Sequence, residues 1–120
     1  MSGTILLGRY GEALAAEYLR KKGCRILAMN YRTRLGELDV IAADRRYVIF
    51  AEVKLRKNAA FAEAREFVTF AKRQKLAAAA EEWLQKNPQK LQPRFDVIEI
   101  YAPDGLDTIK PDIRHWENAF

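Results

Sequence analysis

The chain has 120 residues, which is enough for one hydrophobic core and leaves little room for a second. Its hydrophobic content of 49% and charged content of 31% exclude a disordered composition, and its one cysteine excludes an internal disulfide. The net charge of +5 fits an anionic partner such as nucleic acid, although many basic proteins bind none. We therefore expect a single domain over residues 1–120, in a reducing cytoplasm.

The first predicted element is a helix over residues 7–22. Apolar side chains recur along it at i, i+3, i+4 and i+7, and Gly23 follows the basic last turn as a stop signal. Glu12 lies just outside this apolar stripe, and helical geometry alone favours a solvated position for it. The apolar run at residues 4–7 is too short for a secretory signal or a bilayer span, so no membrane association is expected.

Three strands are predicted next. Residues 24–31 are apolar on both faces, and residues 30–35 are typical of a polar connection. Residues 36–56 predict two strands joined by a short polar turn. The second of these two strands is apolar on both faces up to Ala51, so we expect it at the centre of a sheet covered on both sides.

Charged residues interrupt these two strands at alternating positions. Glu37 and Asp39 lie on the first strand, and Glu52 and Lys54 end the second. Residues two apart share a strand face. A four-residue turn over residues 44–47 places Asp39 opposite Glu52 and Glu37 opposite Lys54, whereas a two-residue turn places Glu37 opposite Glu52. We prefer the longer turn, because the shorter one has neither Gly nor Asn at its centre.

The second half of the chain predicts a helix and another strand. Residues 57–60 follow neither period, which predicts a mobile loop or a short helical turn. A helix follows over residues 66–86, and a strand over residues 94–101. The apolar residues of the tail are expected to pack back over an open apolar surface: Ile109, Ile113, Trp116 and Phe120.

Two polar residues of this half have structural interpretations. Asp96 shares a strand face with Arg94, which favours a structural ion pair over metal binding. His115, the one histidine, lies beside Trp116, where a packing or surface role is expected.

Asp39, Glu52 and Lys54 are the residue types of a metal-dependent phosphodiesterase. A magnesium or manganese ion prefers carboxylate oxygens, polarises a phosphate and activates a water. Lys54, on the same strand face as Glu52, could position or deprotonate that water. The bare pattern is common by chance, so a salt-bridged group at the end of a sheet stays open as the alternative.

Basic residues around this region suggest a phosphate-binding surface, with a solvated helix face as the equal alternative. Five residues make up this predicted surface: Arg56, Lys57, Lys72, Arg73 and Lys75.

Three motifs carry a family resemblance. Gly-Glu-x-Asp at residues 36–39, Glu-Val-Lys at residues 52–54 and Arg-Phe-Asp at residues 94–96 resemble, in this order, the YraN family of uncharacterised small bacterial proteins. These are predicted members of the restriction-endonuclease-like PD-(D/E)xK nuclease superfamily. The resemblance implies an α/β fold with an αβββαβ core, in which helices flank a mixed central sheet. It also implies that Asp39, Glu52 and Lys54 occupy the catalytic positions.

Two further site residues follow from resemblance alone. The spacing is similar to that of archaeal Holliday-junction resolvases, in which a glutamate of the first helix joins the site, and this implies a catalytic role for Glu12. Glu37 stands where the superfamily has the proline of its PD pair, which implies either an extra metal ligand or a partner for Lys54.

The leading hypothesis is a magnesium- or manganese-dependent endonuclease acting on DNA, with branched or damaged structures among the substrates. The alternative is a module that keeps the nuclease fold without turnover and binds nucleic acid or a protein. A third interpretation is a structural subunit, such as one half of a homodimer, whose apolar tail forms the interface.

Overall fold

The computed structural model describes residues 3–57 and 69–120, with side chains from residue 6 onward. These ranges contain two α-helices and five strands. In chain order they are α1 (Gly3–Lys21), β1 (Arg25–Arg32), β2 (Glu37–Ala43), β3 (Tyr47–Arg56), α2 (Phe70–Lys86), β4 (Gln92–Tyr101) and β5 (Asp112–Trp116). A short 3-10 helix at Gly105–Asp107 precedes β5. None of the described helices is long and apolar enough to cross a membrane.

The strands form one mixed sheet in the order β1-β2-β3-β4-β5. Every neighbouring pair is antiparallel except β3 and β4, which run parallel because α2 carries the chain back between them. The first six elements form the αβββαβ core of the restriction-endonuclease-like fold, and β5 is added at one edge. The predicted fold class is confirmed.

Each face of the sheet is covered by one helix. Ala15 and Leu19 of α1 pack on one face, where Ile49 and Ile98 are fully buried. On the other face, Phe50 is buried against α2, with its ring 5.9 Å from that of Trp83. Alternate residues of β3 thus enter two separate cores, which places β3 at the centre as predicted.

The register between β2 and β3 follows from the turn that joins them. Ala43 lies opposite Val48, so residues 44–47 form the four-residue turn that the sequence predicts. The Asp44 carboxylate accepts hydrogen bonds from the backbone N–H groups of Arg46 (2.8 Å) and Tyr47 (2.7 Å) and so stabilises this turn.

The connection between β1 and β2 is shorter than predicted. β1 continues to Arg32, so the polar connection predicted over residues 30–35 is wrong in its first part. The turn closes at Thr33, whose N–H donates to the Gly36 carbonyl at 2.9 Å. A Cβ atom on Gly36 would lie 2.7 Å from the carbonyl oxygen of Lys75, and only glycine permits this approach to α2.

The second helix begins later than predicted. Thr69 precedes it in an extended conformation, and its hydroxyl accepts a hydrogen bond from the Lys72 N–H at 3.2 Å. This N-cap starts the helix at Phe70 rather than at residue 66. The loop predicted at residues 57–60 and the predicted first turn of the helix lie outside the described residues, apart from Lys57.

The tail forms a strand that the sequence pattern did not predict. β5 pairs with β4, and Ile113, Trp116 and Phe120 pack against the cores as expected. Ile109 does not, because it precedes β5 and is 100% exposed. The prediction is therefore wrong for Ile109.

Candidate active site

The candidate site lies where β2 and β3 separate. Their ladder has the register that the four-residue turn predicts and ends at the Val40–Ala51 pair, so Asp39 and Glu52 are the first residues beyond it. Beyond Val40 the Asp39 side chain accepts a hydrogen bond from β3 in place of a backbone carbonyl: its Oδ2 accepts from the Val53 N–H at 2.9 Å. The two carboxylates thus lie at the open end of the hairpin.

The backbone around Asp39 is irregular on both sides. Val40 packs in the core under α1, yet Leu38, two residues earlier, packs in the core under α2. Asn30, which faces Asp39 from β1 in the register of that pair, has a φ of 53° in the left-handed region. Strict alternation therefore stops at Asp39, and groups from both faces of the sheet interact with it.

Burial raises the pKa of Asp39 to about 7, and the negative charge of Glu52 contributes to this shift. The hydrogen bond from Val53 opposes it, while the charges of Glu12 and Glu37 raise the pKa further. The negative charges of three other carboxylates thus act on the half-buried Asp39.

Glu12 comes to this position from α1. It is half-buried, which differs from the solvated position that helical geometry alone favoured. Burial raises the pKa of Glu12, while hydrogen bonds with Asn30 and Asp39 act against the shift. Glu12 also lines a small cleft of about 140 Å³ together with Asn30, Arg32 and Glu37. The structure therefore brings Glu12 to Asp39, and its catalytic role stays a prediction.

Glu52 is held by two lysines. Its side chain is 7% exposed, and its Oε1 lies 3.3 Å from Lys54 Nζ and accepts a hydrogen bond from Lys72 Nζ at 2.5 Å. Burial lowers the pKa of Lys54, and the nearby Lys72 adds to this against the opposing charge of Glu52. Burial alone would lower the pKa of Lys72 too, but its hydrogen bond to Glu52, the negative charge of that carboxylate and smaller contributions from Lys54 and Asp39 together raise the pKa.

Asp39, Glu52 and Lys72 line a cleft of about 190 Å³ between β2, β3 and α2. Its walls are Gly36, Glu37, Asp39, Glu52, Lys72, Lys75 and Leu76. Glu37 forms an ion pair with Arg32 (3.3 Å), while Lys54 pairs with Glu52, so the suggested Glu37–Lys54 pair is not the one that forms. Within residues 3–57 and 69–120, no three Asp, Glu, His or Cys side chains are grouped as ligands of one metal ion.

Comparison with known proteins places the chain in a family. The family model described as "Uncharacterised protein family UPF0102" matches residues 11–100, which is most of the chain. The chain belongs to UPF0102. This confirms the resemblance of its motifs to the YraN family. The UPF0102 match begins at Gly11, one residue before Glu12, and includes every predicted catalytic residue and metal ligand.

Related UPF0102 proteins span nearly the same length. The protein from Geotalea daltonii is 44% identical over 115 residues, covering 95% of this chain and 88% of its own. The protein from Caldanaerobacter subterraneus is 40% identical over 116 residues, covering 95% and 93%. The protein from Rhodococcus opacus is 38% identical over 121 residues and matches over the full length of both chains.

The predicted basic surface of this UPF0102 chain divides into three places. Lys72 and Lys75 line the carboxylate cleft. Arg73 lies with its guanidinium 5.7 Å from the ring centre of Phe120. Arg56 and Lys57 line a separate, mostly apolar cleft of about 290 Å³ beside the start of α1. The binding of nucleic acid by these five residues stays a prediction.

The contact between Lys72 and Glu52 was not predicted from the UPF0102 sequence, although a signal for it exists. Lys72 lies four residues before Leu76 and so shares the buried stripe of α2 with Leu76, Ala79 and Trp83. A lysine on the buried stripe of a helix needs a charged partner. The partner is Glu52, twenty residues earlier in the chain.

A second buried carboxylate has a structural role. Asp96 is 0% exposed and accepts two hydrogen bonds from Arg94, at 2.9 and 2.8 Å. His115 Nε2 and the Asn118 N–H also donate to Asp96, at 2.7 and 3.0 Å. The predicted Arg94–Asp96 ion pair is confirmed, and His115 packs edge-on against the Tyr18 ring.

Proposed function

We propose that this UPF0102 protein is a divalent-metal-dependent endonuclease that hydrolyses phosphodiester bonds in DNA, with branched or damaged DNA as its substrate class. The observation that carries this proposal is that Asp39 and Glu52 line one cleft at the open end of the hairpin, with Lys54 Nζ 3.3 Å from Glu52. Oxygen ligands and an amine are the groups that such chemistry needs.

Asp39 and Glu52 fit a magnesium or manganese ion. Magnesium is commonly bound through one or two carboxylates and keeps several waters. The pKa of Asp39, raised to about 7 by burial and by Glu52, means that its negative charge is poorly compensated. A cation between the two carboxylates would supply that compensation. When bound, such an ion polarises the scissile phosphate and activates a water.

The residues around the two ligands have separate roles in this proposal. Lys54 donates a hydrogen bond that orients the attacking water and stabilises negative charge at the phosphate. Glu12 positions Asp39 through their hydrogen bond. Lys75, on the wall of the cleft, contacts the phosphate backbone.

The test is a nicking assay on four-way junction, flap, nicked and linear duplex DNA, with manganese or magnesium. Asp39→Asn and Glu52→Gln keep the shape of each side chain and remove its charge. We expect at least about a hundredfold slower nicking in each, the scale of losing one electrostatic group of a catalytic site. Chelation by EDTA should stop the wild type.

Glu82→Gln is the matched control, because Glu82 lies on α2 and pairs with Lys86 of the same helix at 3.2 Å. It should nick DNA at the wild-type rate. Equal nicking by Asp39→Asn, Glu52→Gln and the wild type would overturn the proposal.

A second candidate is a nucleic-acid-binding module without turnover. The observation that favours it is that Glu52 already pairs with two lysines, which compensates its charge without a metal. This candidate predicts salt-dependent binding of the same DNA panel, with no cleavage at any metal concentration. Nicking that requires Asp39 would exclude it.

A further inference from the structure

We infer that Lys72 and the divalent cation compete for Glu52, and that a displaced Lys72 becomes a contact for a phosphate of the bound DNA. The inference rests on the proposed function, because it concerns the same carboxylate. It assigns to Lys72 a different partner in each of two states of the site.

The contact geometry places Lys72 where a cation would bind. Lys72 Nζ lies 2.5 Å from Glu52 Oε1, the same oxygen that Lys54 approaches at 3.3 Å. This oxygen therefore already has two cationic neighbours. A divalent ion on Glu52 adds further positive charge within a few ångströms of both ammonium groups, which is strongly repulsive in a partly buried site.

Lys72 is the neighbour that can leave. The side chain of Lys54 is 26% exposed, whereas that of Lys72 is 39% exposed. Glu52 itself, at 7%, has little room to move. The backbone of Lys72 is fixed by the Thr69 cap, so the long side chain can swing from Glu52 toward solvent while the helix stays in place.

The released ammonium stays at the edge of the cleft, because Lys72 is part of its wall. Lys72 and Lys75 are three residues apart on α2, so their side chains are neighbours on the helix surface. Both line the cleft that holds Asp39 and Glu52. A DNA strand whose phosphate enters this cleft meets both lysines. Because binding free energies are reciprocal, a cation that frees Lys72 tightens the binding of phosphate, and phosphate tightens the binding of the cation.

The first test measures the affinity for Mn²⁺ alone, by calorimetry, in the wild type, Lys72→Met and Lys75→Met. Lys72→Met should bind Mn²⁺ about tenfold more tightly, the scale of one charge-assisted hydrogen bond in a half-exposed setting. Lys75→Met removes a positive charge from the same cleft without removing a contact to Glu52. It therefore measures the effect of the lost charge alone, and its affinity for Mn²⁺ should rise by less than about twofold.

Two further variants guard against misfolding. Lys72→Gln removes the charge with a different side chain and should repeat the gain in affinity, whereas Lys72→Arg keeps a cation beside Glu52 and should stay near wild type. Thermal melts by circular dichroism identify any variant that fails to fold. An affinity in Lys72→Met that is unchanged, weaker or equal to that of Lys75→Met overturns the inference, as does a lack of Mn²⁺ binding in every folded variant.

The second test measures the coupling to phosphate. The probe is a fluorescent four-way DNA junction, and Ca²⁺ replaces Mn²⁺ to slow hydrolysis. Ca²⁺ should tighten junction binding in the wild type by several-fold more than in Lys72→Met. An equal effect in both overturns the phosphate contact. If Lys72→Met gains Mn²⁺ affinity while the wild type nicks no DNA, the competition stands and the endonuclease proposal fails.

Discussion

The half-buried Asp39 and the buried Asp96 have pKa values that are shifted in opposite directions. Asp96 has donors on several sides, and these hold its pKa below the ordinary value although burial alone would raise it. Burial raises the pKa of Asp39 as well, and the charges of three other carboxylates raise it further against a hydrogen bond from one backbone N–H. The first arrangement stabilises a fold, and the second stores unfavourable charge that a ligand can relieve.

The lowered pKa of Asp96 predicts how stability depends on pH. Because the folded-state pKa lies below the ordinary value of 3.8, the ion pair contributes stability above that value and this contribution is lost as the pH falls through the folded-state pKa. Asp96→Asn should therefore be less stable than wild type near pH 7, and the difference should shrink in acid. Urea denaturation across pH 3–7 measures this.

Asp112→Asn is the control for Asp96→Asn, since it removes an exposed carboxylate from the edge strand. Its free energy of unfolding should follow the wild-type pH profile. A constant difference between Asp96→Asn and wild type at every pH would contradict the assignment of the ion pair.

At the scale of elements, the position of α2 decides the shape of the carboxylate cleft. Gly36, in the turn before β2, lets the backbone of that turn contact the Lys75 carbonyl. The same turn of α2 carries Lys72, so the spacing between turn and helix also sets where the Lys72 ammonium lies.

Gly36→Ala tests this close approach. The added Cβ would lie 2.7 Å from a backbone oxygen, so the turn or the helix must move. We expect a loss of about 1–3 kcal/mol in the free energy of unfolding, as for other overpacked sites. Gly8→Ala is the comparison, because a Cβ there meets nothing within 4 Å and Gly8 lies inside α1. It should be neutral or stabilising by up to about 1 kcal/mol. Equal stability of the two variants would refute the packing argument.

The β2–β3 hairpin was predictable, whereas the contacts of α2 with it were not. Alternation along a strand and turn chemistry are local, so Asp39 could be placed opposite Glu52 from the sequence. The Glu52–Lys72 contact depends on how α2 docks on the sheet, which spacing within either element does not determine. β5 escaped prediction because Arg114 and His115 interrupt its apolar pattern, and pairing with β4 overrides weak local preference.

At the scale of the whole molecule, the tail is joined to the sheet by buried polar contacts. Glu99 of β4 is 0% exposed, and it accepts hydrogen bonds from Tyr101 Oη at 2.6 Å and from Trp116 Nε1 at 2.8 Å. Beyond β5, the Ala119 N–H donates to the Phe95 carbonyl at 2.8 Å. The last residues therefore complete both the edge of the sheet and the core under α2.

Trp116→Phe tests this attachment, because it keeps an aromatic ring and removes the donor to Glu99. We expect the free energy of unfolding to fall by about 1–3 kcal/mol, the cost of a lost hydrogen bond to a buried polar group. A double-mutant cycle with Glu99→Gln isolates the pair. Strict additivity of the two substitutions would show that the bond contributes nothing.

The bond between Asp39 Oδ2 and the Val53 N–H turns one amide into a reporter on the candidate site. Most amides of a central strand are held by other backbone groups and exchange with solvent when the sheet opens. The Val53 amide is held by a side chain, so its proton resonance and its exchange rate follow the state of that carboxylate. A ligand that binds Asp39 should therefore shift the Val53 peak in a nitrogen–proton correlation spectrum, and this measurement requires no substrate.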